Sequence, residues 1–309
     1  MTARPSVLMV FTGGTISMRV VPGKGVVPAR GGREILDAVP RIGELASVTF
    51  EDFDRLPGPH WTPRRMLELA RHLDRRLSEG IFDGAVVTHG TDTLEETAYL
   101  LDLVLRTDVP VVLTGAMTTA DDPAWDGPEN LLDAVRAVLT PRVAASVDVV
   151  LAGTRHPARS VRKAHTEAFS AFISGGPEAP RERIATDRIE ERVDLVTAAV
   201  GADARFLRHA VETGAKGIVL EALGRGNVPP AMLEGVREAV AAGVPVVVAS
   251  RCGAGATSPQ YGYEGGGVTL AAAGAIFAGD LTPPKARIKL MVLLGSGADA
   301  SAIRASFAR

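Results

Sequence analysis

Short apolar runs alternate with longer amphipathic stretches along the first half of the chain. Four runs are almost continuously apolar and bounded by turn residues, which predicts strands buried on both faces of a parallel sheet: Val7–Phe11, Gly84–Thr88, Val109–Thr114 and Asp148–Ala152. Apolar residues at helical spacing predict helices between these strands: Pro63–Leu77, Leu94–Leu105 and Glu129–Leu139. The alternation predicts parallel βαβ units, an α/β fold with helices on both faces of a mostly parallel, doubly wound sheet.

The pattern breaks after Ser174 and then restarts. The segment Gly175–Arg192 is rich in charge and contains two prolines and two glycines, with little apolar periodicity. Beyond it, the pattern predicts strands at Leu195–Val200, Gly217–Leu223 and Val244–Ser250, and helices at Ala204–Thr213, Pro230–Ala242 and Pro284–Leu294. We therefore expect a larger N-terminal domain (residues 1–180), a linker (181–192) and a smaller C-terminal α/β domain (193–309).

Composition and charge exclude several classes of protein. Of the 309 residues, 46% are hydrophobic and 23% are charged, as in soluble globular proteins. A net charge of −2 offers no basic surface for nucleic acid and no polybasic membrane anchor, and no apolar run is long enough for a transmembrane helix. The single cysteine, Cys252, excludes an intrachain disulfide framework and is interpreted as a structural thiol. The N-terminal stretch lacks the features of a signal peptide, so we expect a cytoplasmic protein.

The candidate chemistry follows predicted strands, at the sheet edge where open α/β sheets bind ligands. The first loop, Thr12-Gly13-Gly14-Thr15-Ile16-Ser17, has two glycines that permit a sharp turn and leave the hydroxyl of Thr15 at this edge. The second loop, His89-Gly90-Thr91-Asp92-Thr93-Leu94-Glu95-Glu96, places the hydroxyl of Thr91 beside the carboxylate of Asp92. A plain glycine turn for the first loop and an Asx-turn at Asp92 are the structural alternatives.

Two predicted helices begin with the spacing of a capping box. Thr93 with Glu96, and Asp126 with Glu129, have the required separation, so we expect Thr93 and Asp126 to cap their helices. A cap at Thr93 leaves the two residues before it free to project from the loop. His89 is either a candidate base or a side chain that points back into the sheet.

Lys163 is notable because lysine is rare in this chain. Only five of the 34 basic residues are lysines, and Lys163 lies among arginines in Arg159-Ser160-Val161-Arg162-Lys163-Ala164-His165. A lysine at such a position indicates a group that has to release its proton, which arginine does not do. A solvated run of charges is the alternative interpretation.

Together these motifs resemble the bacterial-type L-asparaginase/glutaminase family, the threonine amidohydrolases. The resemblance runs from about residue 6 to residue 293 and includes the break between the domains. The block His89-Gly90-Thr91-Asp92-Thr93-Leu94-Glu95-Glu96-Thr97-Ala98 is highly specific. The other matching motifs are Thr12-Gly13-Gly14-Thr15-Ile16, Gly115-Ala116-Met117 and Asp126-Gly127-Pro128-Glu129-Asn130-Leu131.

The resemblance implies a role for each matching residue. Thr15 corresponds to the primary nucleophile of the family. Thr91, Asp92 and Lys163 correspond to a group that activates the nucleophile or water and holds the substrate, with Asp92 at its α-amino group. Asn227 matches an asparagine that reaches into a neighbouring subunit's active site. Family members are dimers or tetramers that need no metal or other cofactor, so we expect a homodimer or homotetramer without either.

Donors for the oxyanion complete the expected chemistry. A threonine hydroxyl is a weak nucleophile that needs a nearby base, and the oxyanion needs hydrogen-bond donors. Backbone N–H groups near Gly14 and Ala116 are the candidates, and both residues are therefore expected to bind substrate.

Two departures from the family pattern bear on the substrate. The family usually carries a tyrosine in a mobile loop after the nucleophile, but the corresponding segment Met18–Gly32 contains none. Gly58-Pro59 replaces the family's Ser-Gln pair, which binds the α-carboxylate and α-amino groups of the substrate. We therefore expect weak affinity for free L-asparagine. Glu264 aligns poorly with the acidic residue that the family's second domain supplies.

The sequence predicts an enzyme that hydrolyses a side-chain amide with a threonine nucleophile. The reaction is L-asparagine to L-aspartate and ammonia, or the same reaction of a related small amide. A non-catalytic amino-acid-binding or regulatory module on the same fold is one alternative, motivated by the two departures. An asparaginase-like subunit of a tRNA-dependent amidotransferase is the other, although neither an extra N-terminal domain nor a basic tRNA-binding surface is apparent.

Overall fold

The structure is a computed structural model and describes residues 4–140, 146–175 and 180–308. The chain divides into two compact units, with the division between Arg183 and Ile184. Arg181, in the expected linker, is part of the first unit because its guanidinium donates to the carbonyl oxygens of Asp102 and Leu105.

The first unit is built on a six-stranded sheet. The strands of this unit are β1 (Ser6–Gly13), β2 (Met18–Val21), β3 (Gly25–Pro28), β4 (Ser47–Leu56), β5 (Gly84–Thr88), β6 (Val111–Thr114), β7 (Val147–Leu151), β8 (Thr154–Pro157), β9 (Arg162–Lys163) and β10 (Phe172–Ile173). Its helices are α1 (Gly32–Asp37), α2 (Ile42–Leu45), α3 (Pro63–Leu77), α4 (Leu94–Val104) and α5 (Gly127–Leu139). The main sheet has the order β4-β1-β5-β6-β7-β8, in which only β8 is antiparallel to its neighbour.

Helices cover both faces of this sheet. Val7, Met9 and Phe11 of β1 pack in a core that includes residues of α1, α2 and α5. Leu8 and Val10 are equally buried and point to the opposite face, because side chains alternate along a strand. On that face α4 packs against β6 and β7 and lies beside α3. The expected mostly parallel, doubly wound sheet is confirmed.

The second unit has its own, fully parallel sheet. Its strands are β11 (Val193–Thr197), β12 (Gly217–Ala222), β13 (Val246–Ser250) and β14 (Ile276–Phe277), in that order across the sheet. Its helices are α6 (Arg205–Glu212), α7 (Pro230–Ala241), α8 (Gly267–Ala272), α9 (Pro283–Gly295) and α10 (Ala300–Phe307). Apolar residues of α6, α7 and α8 form one core with this sheet, and α9 packs against β11, β12 and β13. The expected smaller C-terminal α/β domain is confirmed.

Several predicted boundaries are wrong. Val109 and Pro110 precede β6, and β11 spans Val193–Thr197 rather than Leu195–Val200. β5 and α3 match their predicted bounds, and the remaining predicted elements differ by one or two residues at their ends. The helix predicted at Pro284–Leu294 does not close the fold, because α10 follows it and Lys289 Nζ of α9 donates to the carbonyl oxygen of Ser306 at 2.8 Å.

The segment after the first loop is also more regular than expected. β2 and β3 pair as an antiparallel hairpin, and backbone N–H groups of Ala29 and Arg30 donate to the carbonyl oxygen of Ser17. Asp121 accepts a hydrogen bond from the backbone N–H of Val20 at 2.7 Å. The hairpin therefore begins directly after the Thr15 turn and is attached to the loop before α5.

Candidate active site

The loops after β1 and β5 are in direct contact. Thr12 Oγ1 donates to the carbonyl oxygen of Thr88 at 2.6 Å, which ties the two strand ends together. Gly14 has a φ of +78°, and a Cβ atom there would lie 2.5 Å from the backbone nitrogen of Gly90. Only glycine permits both the conformation and the close approach. The expected sharp turn is present, and Gly14 also lets the loop after β1 lie directly against the loop after β5.

Thr15 begins a single 3₁₀ turn, Thr15–Ser17, immediately after Gly14. Ser17 Oγ donates to the carbonyl oxygen of Gly14 at 2.8 Å and so fixes the turn. Thr15 is half-buried, and its hydroxyl has no hydrogen-bond partner within the part of the chain that the structure describes. The hydroxyl is therefore available to a bound molecule.

Thr91, Asp92 and Lys163 form one cluster. Lys163 Nζ lies 2.9 Å from Thr91 Oγ1 and 2.8 Å from Asp92 Oδ1. Thr91 is only 5% exposed, whereas the side chain of Asp92 is 60% exposed. The structure thus brings Lys163 to Thr91 and Asp92, which lie 72 and 71 residues earlier in the chain, with the carboxylate of Asp92 on the side that faces solvent.

The backbone of Lys163 is held by a residue that the sequence interpretation did not single out. Its N–H donates to Glu95 Oε2 at 2.5 Å, in the first turn of α4. Lys163 also pairs with Phe172 in the short β9–β10 ladder. The same helix start therefore carries Thr91 and Asp92 and anchors the lysine. The sequence feature that could have pointed to Glu95 is its position in the first turn of the predicted helix, directly after Thr91 and Asp92.

His89 is buried beneath this loop and is not a base in the cluster. Its Nδ1 donates to the carbonyl oxygen of Gly90 at 2.9 Å, so its Nε2 accepts the hydrogen bond of 3.0 Å from the Thr97 hydroxyl. Its ring lies 4.5 Å from that of Trp61. Burial lowers the pKa of His89 to about 4, and its ring is therefore neutral near pH 7. Of the two interpretations from sequence, the structure selects the side chain that points inward.

The capping box predicted at Thr93 is wrong. Thr93 occupies the N-cap position, but its hydroxyl donates to the carbonyl oxygen of Gly58 at 2.8 Å instead of capping the helix. Gly58 lies against the cluster: a Cβ atom there would be 3.3 Å from Asp92 Cβ and 3.5 Å from Thr93 Oγ1. The side-chain position of residue 58 is therefore directed at Asp92, and glycine leaves it vacant.

The capping box predicted at Asp126 is also wrong, although Asp126 occupies the N-cap position of α5. Its carboxylate does not cap α5 but accepts backbone N–H groups of Met117 and Thr118, all at 3.0 Å. Asn130, one turn further along α5, donates to Asp126 Oδ2 at 2.9 Å and to the carbonyl oxygen of Gly115 at 3.0 Å. These bonds hold the loop that contains Ala116, a residue with no exposed surface.

Asn227 belongs to the second unit, in the turn after β12. Its backbone pairs with Leu223, and its Oδ1 accepts a hydrogen bond from the N–H of Gly267 at 3.2 Å. It is half-buried. Cys252 is exposed in the same unit, so its interpretation as a structural thiol is wrong.

The described ranges contain neither a cluster of metal-ligating side chains nor a membrane-spanning helix. Within residues 4–140, 146–175 and 180–308, no three side chains of His, Cys, Asp or Glu cluster closely enough to hold a metal ion. In the same ranges, no helix combines the length and apolar character needed to cross a membrane.

Comparisons with known proteins agree with the motifs. The model of the N-terminal asparaginase domain matches residues 6–195, and that of the glutaminase/asparaginase C-terminal domain matches residues 192–307. The chain belongs to the asparaginase family. A probable L-asparaginase of Deinococcus radiodurans is 41% identical, over 98% of this chain and 97% of that protein. An L-asparaginase of Bacillus licheniformis is 34% identical, over 94% and 95% of the two chains.

Structural comparison extends the family similarity over the whole chain. The crystal structure of a probable cytoplasmic L-asparaginase from Campylobacter jejuni matches with a TM-score of 0.87 and 28% identity, covering 99% of this chain and all of that one. One subunit of the glutamyl-tRNA(Gln) amidotransferase of Pyrococcus furiosus is 33% identical over 94% of this chain, but over only 72% of its own length. The family expected from sequence is confirmed.

Proposed function

We propose that this asparaginase-family protein hydrolyses the side-chain amide of L-asparagine, or of a related small amide, to a carboxylate and ammonia. The observation that carries the proposal is the position of Lys163 Nζ, within hydrogen-bond distance of both Thr91 Oγ1 and Asp92 Oδ1. The unpartnered hydroxyl of Thr15 supports it, because this residue lies on the adjoining loop. A hydroxyl nucleophile, a base and an exposed carboxylate are the groups that such a reaction needs.

The proposed reaction has two steps. Thr15 Oγ1 attacks the amide carbon, and its proton passes through the Thr91–Lys163 pair to the leaving nitrogen. The C–N bond breaks, ammonia departs and an ester to Thr15 remains. Water then attacks the ester, gives its proton to the same pair and restores the threonine hydroxyl. Backbone N–H groups at Gly14 and Ala116 stabilise the oxyanion in both steps.

Asp92 gives the site its preference for an amino acid. Its carboxylate is largely exposed and acts in the proposal as the partner of the substrate's α-ammonium group. Gly58 supplies no side chain beside it, so the α-carboxylate lacks a donor from this position. We therefore propose that affinity for free L-asparagine is weak and that a related small amide is a candidate substrate.

The active form that we propose is a cytoplasmic homodimer or homotetramer. Asn227, in the second unit, is the residue proposed to contribute to a neighbouring subunit's site. Because glutamyl-tRNA(Gln) amidotransferase subunits are also similar to this chain, ammonia release in the absence of tRNA is the property that separates the two functions.

The experiment is an ammonia-release assay with L-asparagine, L-glutamine and D-asparagine. Thr15→Val and Thr91→Val each replace a hydroxyl by a methyl group, and each should lower turnover by at least about a hundredfold. Thr49→Val, on the exposed side of edge strand β4, is the matched control and should retain wild-type turnover. If either site variant turns over at the wild-type rate, that threonine is not part of the chemistry. A wild-type protein that releases no ammonia from any amide contradicts the proposed function.

A further inference from the structure

Two side chains at the start of α5 hold the main chain of the loop after β6 (residues 115–118). Asp126 accepts the N–H groups of Met117 and Thr118, and Asn130 donates to the carbonyl oxygen of Gly115. Each bond joins a side chain of α5 to a backbone group on either side of Ala116. Ala116 itself is fully buried.

These bonds determine which way the backbone of Ala116 faces. In a trans peptide the C=O and N–H groups point in opposite directions. The Gly115 carbonyl points to Asn130, so the Ala116 N–H points away from α5. The Met117 N–H points to Asp126, so the Ala116 carbonyl also points away from α5. Ala116 therefore presents a donor and an acceptor together, on the side opposite to the helix.

Neither of these two groups has a hydrogen-bond partner within the described ranges of the chain. Buried backbone groups are nearly always paired, so an unpaired N–H and C=O on one buried residue indicate a place for a ligand. The loop adjoins the active-site cluster, because a Cβ atom on Gly115 would lie 3.3 Å from Thr91 Cγ2.

We propose that Asp126 and Asn130 are positioning residues that turn the backbone of Ala116 toward the substrate's amide group. The inference rests on the proposed function. A primary amide complements this arrangement, since its oxygen accepts from the Ala116 N–H and its NH₂ donates to the Ala116 carbonyl. When the carbonyl oxygen becomes an oxyanion, the bond from the N–H strengthens, so the two positioning residues act on the transition state.

The amide of Asn130 permits a sharp test. Its Oδ1 accepts from the N–H of Ala152 at 2.9 Å, and its Nδ2 supplies the bonds to Gly115 and Asp126. Asn130→Asp keeps the acceptor for Ala152 and removes both donors without a change in size. Asp126→Asn likewise preserves the size of the side chain, but it replaces one of the two carboxylate oxygens that accept N–H groups by an NH₂ group. Thr114→Val is the matched control. It removes a buried hydrogen bond of 2.7 Å to the carbonyl of Val150 and a longer one of 3.5 Å to the main-chain carbonyl of Asn130, but it leaves the side-chain bonds of Asp126 and Asn130 to the 115–118 loop in place.

The measurements are kcat and KM for the best amide and hydrogen exchange of the Met117 and Thr118 amides. Both site variants should lose about tenfold to a hundredfold in kcat, with KM changed by less than about threefold, because an oxyanion donor acts mainly in the transition state. Exchange of the two amides should accelerate in Asp126→Asn and stay at the wild-type rate in Thr114→Val. If Asn130→Asp does not fold, Asp126→Asn decides.

Two results separate this inference from the proposed function. If the wild type is active and kcat of both site variants lies within twofold of that of Thr114→Val, the inference alone is overturned. Unchanged hydrogen exchange of the Met117 and Thr118 amides in Asp126→Asn overturns it as well. If neither site variant folds, exchange in the wild type decides, because both amides must be protected against exchange for the inference to stand. A wild type that hydrolyses no amide overturns the proposed function and the inference together.

Discussion

The imidazole of His89 shows at the scale of one residue how burial couples a side chain to pH. Its pKa is lowered from 6.5 to about 4 by burial, so the unfolded chain takes up a proton before the folded one does as pH falls. The free energy of unfolding therefore decreases from about pH 6.5 down to about pH 4. A lowering of the pKa from 6.5 to about 4 corresponds to about 3 kcal/mol.

His89→Gln isolates this effect. The variant should be less stable than the wild type at pH 7, because it loses packing against Trp61 and at least one of two hydrogen bonds. The difference should shrink by about 3 kcal/mol between pH 7 and pH 4, since glutamine does not titrate. Urea unfolding of both proteins across this range measures it, with the other titrating groups common to both. If the difference in unfolding free energy between the two proteins stays constant with pH, the pKa of His89 is not lowered by burial.

At this scale the sequence singles out three residues that the structure brings together, but it predicts side-chain contacts poorly. Thr91 and Asp92 are adjacent in the chain, and Lys163 is a rare lysine among arginines, so they could be selected without a structure. The hydroxyl of Thr93 could not be placed, because capping is a local rule and its actual acceptor, the carbonyl of Gly58, lies 35 residues earlier. The cap predicted at Asp126 is wrong for the same reason, since its carboxylate bonds to the preceding loop and not to the first turn of α5.

At the scale of elements, one carboxylate attaches the β2–β3 hairpin to the loop before α5. Asp121 Oδ2 accepts the N–H of Val20 at 2.7 Å, and Oδ1 lies 3.5 Å from Arg19 Nε. Asp121→Ala should free the hairpin locally at a cost of about 1 kcal/mol, because a backbone bond to a partly exposed carboxylate is lost. Trypsin cleavage after the exposed Lys24, at the tip of the hairpin, should become about fivefold faster.

Asp122→Ala provides the control for this prediction. Asp122 Oδ1 accepts a bond from Ala124 within its own loop, and its backbone bonds are likewise to residues of that loop. Cleavage after Lys24 should therefore proceed at the wild-type rate in this variant. Mass spectrometry follows cleavage after Lys24 in the wild type and both variants. Equal cleavage rates in all three proteins would show that Asp121 does not hold the hairpin.

Elements with a strong apolar pattern could be predicted, and those without one could not. β5 is buried along its whole length and was predicted to the residue, as was α3. β4 lies at the edge of the sheet, with half-exposed and charged residues along it, so its sequence does not carry the apolar run of a central strand. α10 was missed because α9 before it was taken to end the fold.

At the scale of the whole chain, the division into two sheets follows from the sequence, because a charged segment with prolines and glycines interrupts an otherwise regular alternation. Each sheet has its own buried core, which explains why the alternation restarts after the break. The number of chains in the active molecule is not fixed by this alternation. It depends on apolar groups that the fold leaves uncovered.

Such groups occur in β11, in α6 and in the loop that joins them, which supports the proposed homo-oligomer. Leu195, Val200 and Phe206 are 40%, 96% and 65% exposed. Burial of apolar surface against a second copy is worth about 25 cal/mol per Å², so a charge at Phe206 should weaken association strongly. Sedimentation velocity should show a homodimer or homotetramer for the wild type and smaller species for Phe206→Asp. Ile81→Asp, at a residue 59% exposed in the first unit, is the control and should sediment as the wild type does. A wild type that is fully active as a monomer would contradict the proposal.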